Sequence, residues 1–163
     1  MIVTPEHFFF FNAGDSRTIL IRNNEIAFHS LDHKPFNEEE KKRIEDAGGR
    51  VMIQRINGSL AVSRALGDFE YKNREDLADI QQLVSPMPDV TCIPRNKASD
   101  NYILVACDGI YDVMANEEIA EFCTDRLMSI NDQSSVPGTL LDLCLHKVCS
   151  IRFSRTSVQN WTP

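Results

Sequence analysis

The sequence is 163 residues long, 42% hydrophobic and 25% charged, with a formal net charge of −7. That length supports one core and one domain, and the composition is that of an ordinary soluble globular protein. The acidic balance argues against nucleic acid or an anionic membrane as the main partner, and no apolar run reaches transmembrane length.

The N-terminal segment Met1 to His7 has no basic n-region, so Phe8 to Phe11 reads as a strand instead of a signal sequence. Thr18 to Arg22 and Ile26 to Ser30 alternate apolar and polar residues, with Asn23-Asn24-Glu25 between them. That is a hairpin signal, weakened because the ideal Asn-Gly is absent. Three successive short strands predict an antiparallel meander.

Asp32-His33-Lys34-Pro35 breaks the strand pattern, and Asn37 is a plausible N-cap followed by Glu38, Glu39 and Glu40 in a first helical turn. Gly48-Gly49 closes this helix. The charge run reads as a solvated face. Arg50 to Arg55 alternates as a further strand; Asn57-Gly58 turns the chain into a short helix over Ser59 to Leu66, stopped by Gly67. Arg64 on that element suits an acid or a phosphate, an ordinary ion pair being the simpler use. Phe69 to Gln82 is a polar loop with a helical turn, and Asp89 to Ile93 a short strand.

Tyr102 to Cys107 is an apolar run of strand length, predicted to be buried on both faces, and it ends in Asp108-Gly109-Ile110-Tyr111-Asp112. A carboxylate at the end of a buried strand is well placed for a divalent metal or an acid catalyst. The same acids equally suit a turn or a cap for the following helix, and the stretch alone leaves both readings open. Asn116 caps an amphipathic helix with Ile119, Phe122, Cys123 and Leu127 on one face. Pro137 opens a last helix whose apolar face includes Leu140, Leu141, Cys144 and Leu145. The five cysteines make an odd count without C-x-x-C spacing; Cys107, Cys123 and Cys144 read as small core residues. A zinc site is not expected, and cytoplasm or nucleus is the expected compartment.

Five runs, in order, resemble the metal-dependent protein phosphatase family, the PPM or type 2C serine/threonine phosphatases. They are Asn12 to Arg17, Asp32 to Pro35, Ala47 to Val51, Arg55 to Asp68, and Ala106 to Met114. The resemblance implies an α+β fold, a β-sandwich of two antiparallel sheets flanked by helices. It implies phosphorylated protein substrates, Mg²⁺ or Mn²⁺, a monomer, and hydrolysis of phosphoserine and phosphothreonine by a metal-activated water. By motif position, Asp108 matches a ligand of the metal pair, and Asp15 and Asp112 match residues of a more weakly held additional metal. His33, Arg64 and Asp68 are typical of the family and read as structural.

The family also carries an upstream Asp-Gly-His-Gly, whose aspartate bridges both metals, and a downstream Gly-Ser-x-Asp-Asn that supplies another ligand. Neither occurs in these 163 residues. The expectation is a partial phosphatase domain over 1–147 and a divergent, disordered tail over 148–163, reading as another exon, a retained intron or a gene-model error. The same departures predict a chain that is inactive by itself. A non-catalytic, phosphatase-like interaction or regulatory protein is the alternative; a chain that does not fold alone is a third reading.

Overall fold

The computed structural model describes residues 1–156, with side chains through Cys149. In chain order the strands are β1 (Ile2–Val3), β2 (His7–Asn12), β3 (Arg17–Arg22), β4 (Glu25–His29), β5 (Val51–Met52), β6 (Arg55–Ile56), β7 (Asp89–Pro94) and β8 (Asp100–Ala106). The helices are α1 (Glu38–Asp46), α2 (Asp108–Tyr111), α3 (Asn116–Ser129) and α4 (Val136–Thr156). Single 3₁₀ turns lie at Phe69–Tyr71, Asp79–Gln81 and Gln133–Ser135. The fold is mixed α+β with antiparallel pairing, as expected. None of the described helices is long and apolar enough to cross a membrane.

The early strands form, but not as one meander. β2 lies between β1 and β7, whereas β3 lies between β4 and β8. The chain accordingly divides into two compact units, Met1–Thr18 with His29–Ala98, and Ile19–Phe28 with the residues from Ser99 onward.

In the first unit, β2 pairs antiparallel with β7 in a register that sets Phe8 opposite Ile93, Phe10 opposite Thr91 and Asn12 opposite Asp89. Phe8 and Phe10 are buried while Phe11 is exposed, the period of two that a half-buried strand requires. Ile44 from α1, Ile56 from β6 and Val84 form a core cluster, each fully out of water and each contributing about 1.5–3 kcal/mol. Asn37 occupies the N-cap of α1 in extended geometry, but its side-chain amide donates to the Asp32 carbonyl at 2.8 Å instead of accepting from the helix. At the other end Gly48 takes φ +87, and the N–H groups of Gly48 and Gly49 bond the carbonyls of Glu45 and Ile44. Gly48 thus terminates α1 by supplying the left-handed residue a side chain would disfavour.

Two expectations fail between Arg50 and Leu66. The alternating run is not one strand: β5 and β6 form a hairpin whose turn is Ile53-Gln54, at φ +50 and +61. The next segment is not a helix. It runs extended: the Ile56 N–H bonds Leu60, the Ser63 N–H bonds His33, and the chain then bridges Ser85 in parallel. The following loop is organised by the buried Gln82. Its amide donates to the carbonyls of Arg74 and Leu77 and accepts from the Arg74 N–H.

In the second unit, the β3–β4 hairpin turns on Asn23-Asn24 alone, at φ +53 and +62, and Glu25 already belongs to β4. Asparagine tolerates that left-handed region, so the pair does the work of Asn-Gly. Ile110 and Met114 join Ile119 and Cys123 of α3 and Val136, Leu140 and Cys144 of α4 in one core cluster. Ala115, not Asn116, is the N-cap of α3, and the Glu118 side chain accepts the Ala115 N–H at 3.1 Å. Of the four residues expected on the apolar face of α4, Leu140 and Cys144 are buried, whereas Leu141 and Leu145 are exposed. β8 is an edge strand, with Val105 59% exposed, so it is not buried on both faces, and Cys107 is exposed. α4 runs past Lys147 to Thr156; residues 157–163 of the expected tail lie outside the described residues.

Candidate functional site

The chemistry-bearing acids fall in both units. In the second, β8 ends at Ala106, Cys107 is extended (φ −79, ψ 173), and Asp108 opens the single helical turn α2. Asp112 closes the turn, its N–H bonding the Asp108 carbonyl at 2.8 Å. The two carboxylates are thus four residues apart along one turn, the spacing that places side chains on one face. Burial of Ile110 and Met114 in the core fixes the turn from behind.

No described residue hydrogen-bonds either carboxylate, and Asp108 caps no backbone group. Asp112 sits at the C-cap, where carbonyl oxygens face outward and an anion is unfavourable. Asp108, in the first turn of α2, stands where a negative charge is favourable, so only Asp112 is out of place for the stability of the turn.

Asp15 belongs to the first unit, on a turn held by side chains from Asn12 and His33. Gly14 takes φ +121, and a Cβ there would meet the Arg64 carbonyl at 3.4 Å. The Gly14 N–H donates to His33 Nδ1 at 3.2 Å, and the Gly14 carbonyl accepts from the His33 N–H at 2.9 Å and from the Asn12 amide at 3.2 Å. Because Nδ1 must accept, the proton resides on Nε2, which donates to Asp89 Oδ2 at 3.1 Å. Asp15 itself is ion-paired with Lys34, Oδ2 to Nζ 2.5 Å. A cation at Asp15 would compete with that ammonium.

The bonds continue from Asp89. Its Oδ1 accepts from Arg64 Nη1 at 2.8 Å, and Arg64 Nε and Nη2 converge on Glu40 Oε1 at 2.8 and 2.6 Å. Glu40 Oε2 accepts from Ser63 Oγ at 2.6 Å and pairs with Arg43 at 2.8 Å. Burial alone would raise the Glu40 pKa; the bonds from Arg64 and Ser63 and the charge of Arg43 outweigh it and hold the carboxyl below its ordinary value. Glu40, 3% exposed, is thus not part of a solvated face. The signal was in its spacing: Glu40, Ile44 and Ala47 fall at i, i+4 and i+7, one face of α1, and all are buried. His33 and Arg64 are structural, as the sequence suggests. Asp68 is exposed and left-handed at φ +50, before the 3₁₀ turn at Phe69.

Among the described residues, no group of three or more His, Cys, Asp or Glu is arranged to hold a metal ion. The donors that are free, Asp108 and Asp112, are carboxylates, the type that Mg²⁺ and Mn²⁺ prefer, but an octahedral ion needs about six oxygens.

Residues 1–150 match the family model described as protein phosphatase 2C. Protein phosphatase ppm-1.A of Caenorhabditis elegans is 60% identical over 146 residues, covering 90% of this chain and 31% of that protein. Human protein phosphatase 1A is 51% identical over 147 residues, covering 90% and 38%. The chain therefore spans about a third of the length of these relatives. A crystal structure of a Toxoplasma gondii phosphatase superposes with a TM-score of 0.80 at 32% identity, over 86% of this chain and 44% of that one. With a family model spanning most of its length, and motifs and fold in agreement, the chain belongs to the protein phosphatase 2C family.

Proposed function

We propose that the protein is a metal-dependent protein serine/threonine phosphatase acting on phosphoproteins, in which Asp108 is a metal ligand. The observation that carries this reading is the Asp108 carboxylate, anchored at the end of β8 and without a side-chain partner, in a chain of this family. Asp112, one turn on, is proposed as a weaker, additional-metal ligand, and so, separately, is Asp15 in the first unit. Mg²⁺ or Mn²⁺ bound there would supply an acidified water for attack on phosphorus. The chain's own part is to present hard oxygen donors and to hold them still. Ile110 and Met114 fix the Asp108 turn, and His33 fixes the Gly14-Asp15 turn through two bonds.

Residues 1–147 are proposed as the part of the phosphatase domain contained in this sequence, and 148–163 as a divergent tail. The described residues bring together too few oxygen ligands for a metal pair, so the isolated chain is expected not to hydrolyse p-nitrophenyl phosphate with Mn²⁺. Turnover that Asp108→Ala abolishes would overturn that expectation. The phosphatase reading is tested separately by grafting residues 1–147 into the matching segment of the Caenorhabditis elegans relative. The chimera should hydrolyse a phosphothreonine peptide with Mn²⁺, and Asp108→Ala should cost on the order of 100-fold or more. A folded chimera no better than its Asp108→Ala variant would sink the reading. Five free cysteines support a reducing compartment, cytoplasm or nucleus, and a monomer is expected.

A further inference from the structure

We propose that the groove between the β3–β4 hairpin and α3 is a docking site for a basic, leucine-bearing peptide segment of a partner protein. The groove encloses about 410 Å³, floored by Ile26 and the buried Ala120. Glu117, Glu121 and Asp125 line one wall, and Glu25, just after the Asn23-Asn24 turn, lines the opposite one. None of these four carboxylates is paired with Lys or Arg among the described residues.

Their arrangement works against the helix. Glu117–Glu121 and Glu121–Asp125 are consecutive like-charge pairs at i, i+4, each unfavourable by a small amount. Glu117 stands in the first turn of α3, where a negative charge is favoured, but Glu121 and Asp125 have no such position. The neighbouring Glu118 shows the contrast, since it pairs with Lys147 at 2.7 Å and bonds the Ala115 N–H. An acidic wall without described cationic partners, set over an apolar floor, complements a cationic ligand with an apolar side. At Asn24 and Thr124 the groove meets a second, more polar hollow of about 230 Å³, lined by Asn101, Tyr102 and Gln133 together with Leu127 and Met128. The ligand's leucine would lie on the floor of Ile26 and Ala120. The proposal concerns binding alone and does not depend on the phosphatase reading.

The test titrates the intact chain with a short fluorescein-labelled peptide of interspersed lysine, arginine and leucine, followed by anisotropy. Saturable binding is expected that weakens with salt and is absent for a glutamate counterpart peptide. The combined variant Glu117→Gln, Glu121→Gln, Asp125→Asn should weaken it about tenfold, whereas Glu75→Gln in the other unit should not. Carbodiimide coupling of the peptide's lysines should fall on the same acids, a readout that needs no variant. Coupling spread over the surface, equal loss in the Glu75→Gln control, or retention of Mg²⁺ without peptide binding would each overturn the proposal.

Discussion

Removing the Glu40 carboxylate should destabilise the first unit more than any exposed charge change. Glu40 is 3% exposed and carries the negative charge that Arg43 and Arg64 share. Replacement by alanine would strand two guanidiniums whose side chains are 14% and 15% exposed. Arg64 would keep Asp89, which is half exposed and contributes little, and Arg43 would keep the carbonyls of Ser63 and Gln82. Breaking a fully buried pair costs about 3–5 kcal/mol; with those surviving partners, about 2–4 kcal/mol is expected for Glu40→Ala. Glu40→Gln keeps the shape and an acceptor and should cost less, about 1–3 kcal/mol. Urea titration measures both, and each kcal/mol should lower the melting temperature by about 2–4 °C. The pH dependence has a definite sign. Because the folded carboxyl lies below its ordinary 4.5, its contribution is present above that value and lost as pH falls through the depressed one. Glu40→Gln should remove that acid-side loss. Variants within 0.5 kcal/mol (about one-half) of wild type, with unchanged acid unfolding, would refute the network's importance.

Three other variants probe neighbouring features. Ile53→Asn with Gln54→Gly should stabilise the chain by about 1–2 kcal/mol in thermal melts, since a β-branched residue at φ +50 is strained and Ile53, 90% exposed, loses no packing; no gain would mean the turn has relaxed. His33→Ala strands the buried Gly14 N–H and should cost about 1–3 kcal/mol by urea titration, with an unchanged midpoint counting against it. Gln82→Ala removes three bonds that close the 74–82 loop and should speed trypsin cleavage after Arg74, with equal cleavage rates as the contrary result.

The elements that the sequence made legible are those governed by near neighbours. Phe8 to Asn12 is a strand buried on one face, and Ile119 with Cys123 marks the inner face of α3 by helical spacing; Thr18 to Arg22 forms its strand but not the expected alternation, since Ile19, Leu20 and Ile21 are all buried. The misread segments are governed by distant partners. Ala61 and Ala65 suit a helix, but the backbone around them is claimed by His33 and Ser85, so it stays extended. Nothing in Ile53-Gln54 announces a turn, because the pairing of β5 with β6 imposes the left-handed pair on residues that disfavour it. The division of β2 from the β3–β4 hairpin has the same origin, since the partners of β2 and β3 come from β7 and β8, more than sixty residues on. Asp108 was identifiable by motif and strand end, and the Asp15 turn by motif alone; the grip of His33 and the ion pair with Lys34 need the fold.

The acids of this chain divide by what they do for their own helix. Glu38 and Glu39 stand in the first turn of α1, where a negative charge is favourable, and Glu118 closes its cap; their placement is explained by stability. Asp112 stands at the unfavourable end of α2, and Glu117, Glu121 and Asp125 repel one another along α3. Helix stability accounts for Asp108 and Glu117, each in a first turn, but not for Asp112, Glu121 or Asp125, and both groups lack a described cationic partner. A bound cation would relieve both: a metal ion at the Asp108 turn, and a basic peptide along α3. That shared logic makes the two sites separable by experiment, since Asp108→Ala should abolish metal-dependent turnover in the chimera without touching peptide binding. Neutralising the α3 acids should do the reverse on small substrates such as p-nitrophenyl phosphate, leaving turnover unchanged while the labelled peptide is lost.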